Sequence, residues 1–397
     1  MSILIIADAF PPSKNSSAIQ INHLAYEFNN QGHDVILFIP NANIKETYLV
    51  KDLRYAKVIF IKVPFLKTSI NIIRAIAELF MPFLMIKIIK KNNLFNFKVD
   101  GLVWYSPSIF HGPLIKYIKK ISNTKTYLII RDIFPEWALD LKLMRKGIIY
   151  YFFKMVANYQ YARADSIGVQ SPGNLKYFKA WKIKHNTNVE VLNNWLLKEY
   201  RDKECSISIE NSSLKGRKIF VYAGNMGIAQ GMDILIDLAR FFINRADLGF
   251  IFVGRGSNMA KLKARSNDYN LDNILFFDEI DPDEIPQLYK RCSVGLIALD
   301  ARHKSHNIPG KFISYMQSGL PVVASVNPGN DLIDIVNNQG VGKIISDGSI
   351  KNLALKAEDL IAKLDEGQNY DSRCKELFVK MYSAETAVNQ IKSSLLK

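Results

Sequence analysis

The stretch His306–Ser325, HNIPGKFISYMQSGLPVVAS, holds a loop, a short amphipathic helix, a tight stop and a strand. Pro309 and Gly310 stand just before Lys311, and Phe312, Ile313 and Met316 supply an apolar helix face. Gly319 and Pro321 end the helix, and VVAS is a short apolar strand. A helix that starts here has first-turn N–H groups without intrahelical partners and the positive end of its dipole. Lys311 adds a full charge, and Ser314 lies one turn further along the same face. Together these features predict a phosphate site. An exposed lysine on a surface helix produces the same local sequence, so the neighbouring loops decide between the two.

The same rhythm of apolar strand, loop and helix surrounds this stretch. Upstream run IFVYAGNMG (219–227), a helix from about Met232, LGFIFVGRG (248–256), a Lys/Arg-rich helix, NILFFDEI (273–280), a helix at EIPQLYKRC (284–292) and VGLIAL (294–299). VGKIIS (341–346) follows. The first half repeats the pattern: ILIIAD (3–8), a helix over 17–33, DVILFIP (34–40), AKVIFIKVP (56–64), a helical stretch near 69–91, GLVWYSP (101–107), TYLIIRD (126–132), DSIGVQS (165–171) and VEVLNNW (189–195). Short apolar strands separated by helices predict a parallel, doubly wound sheet in each half. The polar passage KEYRDKECSISIENSSLKGRK (198–218) breaks the rhythm. The expected division is a first domain at 1–195, a linker at 196–216, a second domain at 217–369 and a helix at 370–397 packing back on the first. In such sheets ligands bind outside the carboxyl ends of the strands.

Bulk properties agree with a two-domain globular protein. The chain has 397 residues, 48% hydrophobic and 22% charged. It has no uncharged apolar run of the roughly 20 residues that a membrane-spanning helix needs. MSILIIADAF lacks a basic n-region and reads as a first strand rather than a signal peptide. Cys205, Cys292 and Cys374 are isolated, which fits a reducing cytoplasm and makes no metal or disulfide pattern. The net charge of +15 is one-sided: residues 1–200 carry 27 Lys/Arg against 13 Asp/Glu, the remainder 25 against 24. The first half is therefore expected to face something anionic. The basic residues mix with apolar ones and form no nucleic-acid recognition motif, so no nucleic-acid partner is predicted.

Several loops after strands hold candidate chemistry. GNMGIAQG (224–231) and VGRGS (253–257) carry glycines that let backbone approach a ligand. Arg131, Asp132 and Glu136 lie in RDIFPEW, where a carboxylate could orient or deprotonate a hydroxyl and Arg131 could equally be an ion-pair partner. His111, in SPSIFHGP, lines a cleft or is a buried structural histidine. The acid pair in DPD (281–283) reads as a turn and helix start. The run Ile70–Lys98 mixes large apolar residues with Arg74, Lys87, Lys90 and Lys91, interrupted by Glu78 and Pro82. It predicts either an amphipathic helix at an anionic membrane surface, with IIYYFFKM (148–155) adding to it, or a helix packed on its sheet.

The order of these elements resembles the retaining glycosyltransferases of family 4 over nearly the whole chain. The resembling runs are PPSKNSSAIQINHLAYEFNNQGHDV, YAGNMGIAQGMDILIDLA, FVGRGSNMAKL, DEIDPDEIPQLYKRCSVGLIAL and GKFISYMQSGLPVVAS. YAGNMGIAQG, RDIFPEW and IPGKFISYMQSGLPV are most similar to the subgroup of N-acetyl-L-fucosamine transferases of bacterial O-antigen and capsule assembly. The resemblance implies an α/β GT-B fold, two Rossmann-like doubly wound domains facing each other across a cleft. It implies a UDP-sugar donor, UDP-N-acetyl-L-fucosamine in that subgroup, and an acceptor saccharide on a polyprenyl diphosphate. It also implies retention of anomeric configuration, no cofactor or metal, and a cytoplasmic protein peripheral on the inner leaflet of the plasma membrane.

The sequence departs from the family at three places. The paired glutamates around the signature helix are replaced by His306 and Ser314, with Asn307 alongside as a further sugar contact. The Arg and Lys that grip the diphosphate correspond to Asn225 and Gln230. That leaves Arg255 and Lys311, with the backbone of Gly224, Asn225 and Gly227, as diphosphate ligands. The His often found after the fifth strand of the first domain gives way to Arg131 and Asp132. Ser16, Ser17 and His111 are expected in the acceptor cleft. Two rival functions share these features: a nucleotide-sugar 2-epimerase of the same fold, and a non-catalytic lipid-associated subunit.

Overall fold

Most residues of the first-half apolar runs are buried, on both alternating sides of the strands, which requires a sheet covered on both faces. In a computed structural model of the chain they form β1 (Ser2–Ile6), α1 (Ser16–Asn30), β2 (Asp34–Asn41), β3 (Tyr48–Leu53), β4 (Ala56–Lys62), α2 (Asn71–Lys91), β5 (Gly101–Ser106) and α3 (Gly112–Ser122). These continue into β6 (Lys125–Ile130), α4 (Glu136–Asp140), α5 (Ile148–Tyr161), β7 (Ser166–Val169), α6 (Lys179–Lys184) and β8 (Asn188–Val191). The structure describes every residue except 14, 67–70, 141, 186, 200–202, 228–229 and 301–307, and omits the side chains of 71, 72, 74, 75 and 184.

The eight strands lie in the order β3-β4-β2-β1-β5-β6-β7-β8, parallel apart from β3 against β4. The order reverses between β1 and β5, so the loops after these two strands diverge and leave a crevice. Helices α2, α3 and α5 bury Met81, Leu114 and Ala157 on one face of the sheet, with Leu4 and Trp104. Helix α1 covers the other face, over Ile3, Ile5 and Val103. Pro82 does not interrupt α2, which runs through it.

The second sheet is built from β9 (Lys218–Ala223), α7 (Asp233–Phe241), β10 (Leu248–Val253), α8 (Met259–Asp268), β11 (Ile274–Phe277), α9 (Ile285–Lys290) and β12 (Val294–Ala298). It continues with α10 (Gly310–Gln317), β13 (Val322–Ser325), α11 (Leu332–Gln339), β14 (Gly342–Ile345), α12 (Ile350–Asp365) and α13 (Tyr370–Leu377). Its order, β11-β10-β9-β12-β13-β14, is wholly parallel and reverses between β9 and β12. A π-helical turn (Phe378–Tyr382) and α14 (Ala384–Leu395) complete the chain.

The contacts divide the molecule into Met1–Leu197 with Ala384–Lys397, and Lys198–Ser383. The passage read as a linker therefore belongs to the second unit. Cys205, Ile207, Ile209 and Leu214 are buried there, and the Ser206 amide and hydroxyl donate to Glu284 at 2.8 and 2.6 Å. The return to the first unit starts at Ala384 rather than at 370, because α13 buries Tyr370, Cys374 and Leu377 within the second unit. Helix α14 then lies beside α1 and adds Val388, Ile391 and Leu395 to the core that α1 covers.

Candidate functional site

In the second unit the sheet reverses at the carboxyl ends of β9 and β12, where Gly224–Gly227 follows β9. This loop packs backbone to backbone on the loop after β10. Met226 N donates to Arg255 O at 2.8 Å and Asn258 N to Met226 O at 3.0 Å. Gly254 and Gly256 have φ of +144° and +155°, and a Cβ on them would fall 2.0 Å from Gly224 O and 2.4 Å from the Met226 carbonyl carbon. Loop-on-loop packing by itself therefore requires these two glycines.

Lys311 meets the Gly224 loop. A Cβ built on Gly224 would lie 3.7 Å from Lys311 Cε and 3.9 Å from Nζ. Lys311 Nζ donates to the Tyr222 hydroxyl at 3.0 Å and sits 4.3 Å from the Tyr222 ring centre. That hydroxyl in turn donates to Asn225 O at 2.6 Å. Burial raises the Tyr222 phenol well above its ordinary value, so it stays neutral. Burial also lowers the Lys311 ammonium to about 8. Among the described residues no carboxylate pairs with it. A cation left uncompensated in such surroundings is costly unless an anion arrives.

The other predicted donor-site residues are less tightly held. Arg255 is exposed and pairs with Glu279 at 3.1 Å. It is a surface ion pair rather than a preset diphosphate ligand. The Asn225 amide donates to Gln230 Oε1 at 3.3 Å, and the Gly227 amide donates to the same oxygen at 3.0 Å. The two residues standing where the family has cations therefore brace the loop. Ser314 Oγ points back to Gly310 O at 3.5 Å. His306 and Asn307 lie outside the described residues.

In the first unit the reversal falls at β1 and β5. Asp8, just past β1, accepts from His111 Nε2 at 2.8 Å and from Ser108 N at 3.2 Å. The carboxylate must accept here, which puts the proton on Nε2. His111 is fully buried, and its Nδ1 has no hydrogen-bond partner among the described residues. Gln160 clamps the same loop, accepting from His111 N at 3.1 Å and donating to Ser108 O at 3.2 Å. Asp8 faces a cavity of about 320 Å³ whose polar lining includes Asn15, Ser17, Asn41 and Glu78, with Phe10 and Phe60 among its apolar walls. Ser17 Oγ donates to Asn15 Oδ1 at 3.0 Å. Ser16 opens α1, is exposed and does not line the cavity. His111 reaches the cavity only through Asp8.

The trio in RDIFPEW separates. Arg131 is buried, donates to Leu192 O at 2.8 Å and lies 4.6 Å from the Trp195 ring centre. It clasps the segment after β8 and has no catalytic freedom. Glu136 is buried against Lys154 as a structural ion pair. Both placements correct the expectation of a catalytic group. Asp132 alone stays accessible. Its carboxyl is exposed by area, yet enough protein surrounds it that desolvation raises its pKa, with Arg131 opposing.

Asp8 and Tyr222 were not anticipated. Each had a signal: Asp8 is the first polar residue after an apolar strand, and Tyr222 places a hydroxyl one residue before such a strand ends. The DPD segment is the expected cap, with Asp281 accepting from Asp283 N at 3.1 Å. Among the described residues no three His, Cys, Asp or Glu side chains gather as a metal site, and no helix is long and apolar enough to cross a membrane.

Two Rossmann-like α/β units with these sheet orders define the GT-B fold, the architecture of the glycosyltransferases that the chain resembles in structure. Residues 217–363 match the family model described as Glycosyl transferases group 1. The chain is 21% identical over 234 residues to the probable glycosyltransferase WbjE of Pseudomonas aeruginosa, covering 58% of this chain and 57% of that protein. It is 24% identical over 229 residues to the putative colanic acid biosynthesis glycosyl transferase WcaI of Escherichia coli K12, covering 56% of each. The alignments thus span little more than half of these curated relatives. The solved structure of trehalose-6-phosphate from E. coli bound with UDP-2-fluoro glucose superposes with a TM-score of 0.72 at 9% identity, over 100% of this chain and 99% of that one.

Proposed function

We propose that this protein is a glycosyltransferase of surface polysaccharide assembly. In this reading it transfers an N-acetylated amino sugar, N-acetyl-L-fucosamine by the resemblance, from a UDP-sugar to a saccharide on a polyprenyl diphosphate. The observation that carries the reading is the uncompensated Lys311 ammonium beside Gly224, at the point where the second sheet reverses. The family match over 217–363 covers this same unit.

The chemistry follows from charge. When the glycosidic bond of the donor breaks, negative charge develops on the β-phosphate. Lys311 and the free amides at the start of α10 stabilise that charge, and being preset they need no reorganisation at the moment of reaction. The reading assigns this work to the side chain and amides rather than to a metal, and retention of configuration comes with the family resemblance. Acceptor recognition falls to the first unit, where Asp8 and the amides and hydroxyls around it suit sugar hydroxyl donors.

The test pairs a panel of nucleotide sugars with a synthetic lipid-diphosphate acceptor, with and without EDTA, beside calorimetric titration of UDP. Transfer from one UDP-sugar, lost in Lys311→Ala, is the expected result. UDP binding without transfer from any donor would favour the non-catalytic subunit. Conversion of a UDP-sugar to its 2-epimer without acceptor would identify the epimerase.

A further inference from the structure

Helix α5 is apolar on both sides. Tyr150, Ala157 and Tyr161 face the core, whereas Ile148, Ile149, Tyr151, Phe152 and Met155 face outward. Helical spacing places these five on one stripe. Ile148 is 91% exposed and opens the helix directly after Gly147. Leu143, just before it, is 71% exposed. Helix α2, in the same layer, turns Ile73, Ile76, Phe80 and Phe83 outward and ends in exposed Lys87, Lys90 and Lys91. Helix α3 packs on both, and its exposed positions include Lys116, Lys120 and, in its last turn, Ile121. One sheet face is therefore clad in an apolar, cationic, apolar succession.

The charge of this layer is lopsided. By sequence, α2, α3 and α5 carry eight Lys/Arg and one acid, Glu78. Glu78 lines the cavity at Asp8 rather than the outer face. Lys119 and Lys154 are paired with Asp165 and Glu136, but Lys87, Lys90, Lys91, Lys116 and Lys120 have no ion-pair partner among the described residues. Arg145 and Lys146 stand exposed just before Ile148. Large exposed apolar groups interleaved with uncompensated cations match the acyl boundary and headgroups of an anionic bilayer. A second copy of the same face would bring like charges together.

We infer that the α2–α3–α5 layer docks on an anionic phospholipid surface, with the first turn of α5 inserted as the wedge. This widens the sequence expectation of a basic helix at Arg74, Lys87, Lys90 and Lys91 to a three-helix surface with α3 in the middle and α5 as its apolar flank. The Arg74 side chain lies outside the described residues. The inference deepens the reading of a lipid-linked acceptor, but the binding it asserts is independent of turnover.

The test is co-sedimentation of the full chain with phosphatidylcholine vesicles with and without phosphatidylglycerol, beside UDP titration and sedimentation velocity without lipid. Binding only to phosphatidylglycerol vesicles is expected. Ile148→Ser with Ile149→Ser should weaken it about a hundredfold from two exposed isoleucines. Lys116→Glu with Lys120→Glu should also weaken binding and flatten its salt dependence. UDP affinity should stay unchanged in both, which reports an intact second unit. A wild-type chain that ignores both vesicle types, or a lipid-free dimer that the isoleucine variant abolishes, overturns the inference. Vesicle binding without any sugar transfer would retain it while removing the glycosyltransferase reading.

Discussion

Lys311 Nζ is held at 3.0 Å by the hydroxyl of Tyr222, and that hydroxyl is tied by its own proton to the Asn225 carbonyl. The cation on α10 is thereby coupled to the backbone of the Gly224–Gly227 loop through a single neutral phenol. A ligand phosphate placed between them would meet a charge whose position is already set, with little side-chain entropy left to lose.

Donor affinity should depend on pH through Lys311. In the free protein burial lowers its pKa to about 8, and a bound diphosphate would raise it again. UDP affinity should be level below that pH and fall above it, approaching about tenfold per pH unit. Calorimetry from pH 6 to 10 checks this, and Lys311→Met should remove the slope. For stability the sign is opposite. The unfolded lysine binds its proton more tightly, so charge burial costs stability below the folded pKa, and the cost is relieved as pH rises from there towards the unfolded value. Lys311→Met should therefore raise the denaturation midpoint of the ligand-free protein at neutral pH while weakening UDP binding.

Tyr222→Phe keeps the ring under the ammonium but deletes the hydroxyl. It leaves Asn225 O and Lys311 each short of one hydrogen bond, a loss of about 1 kcal/mol apiece. The expected outcome is weaker UDP binding with the Lys311 slope still present. Unchanged affinity would show that the phenol does not position the cation.

Asp8→Asn should raise the acceptor KM and leave UDP affinity untouched, because Asp8 lines the first-unit cavity. His111→Gln tests the orienting role. If His111 acts through Asp8, it should lower affinity in the same direction but by less. An acceptor KM unmoved by either change would remove this cavity from substrate recognition.

Gly256→Ala places a methyl 2.4 Å from the Met226 carbonyl carbon at a φ of +155°. The expected cost is about 2–4 kcal/mol, read from urea midpoints. UDP binding should fall with it, because the displaced neighbour is the loop that meets Lys311.

Much of the architecture was legible because the strands announce themselves. ILIIA, GLVWY and IFVYA are almost wholly apolar, as strands buried on both faces must be. The Lys311 helix was legible for a similar reason, since Pro309 and Gly319 punctuate its ends. What sequence could not settle was partnership. Arg131 and Arg255 look alike in a loop after a strand, yet one clasps Leu192 and Trp195 while the other pairs with Glu279 at the surface. The choice depends on residues distant in sequence. The 198–218 passage misled for another reason: its few described apolar residues, Cys205, Ile207, Ile209 and Leu214, are all buried. Polarity counted over the whole window hid an anchoring stripe.

Because α14 rejoins the first sheet, the path of synthesis matters. Residues 1–197 emerge with Ile3, Ile5 and Val103 still lacking Val388, Ile391 and Leu395 as cover. The amino-terminal sheet must wait, partly bare, until α14 has left the ribosome, whereas 198–383 is uninterrupted and can condense first. A fragment cut after residue 197 should aggregate, and one spanning 198–383 should remain monomeric. A co-translational chaperone would find its client surface at the amino-terminal end.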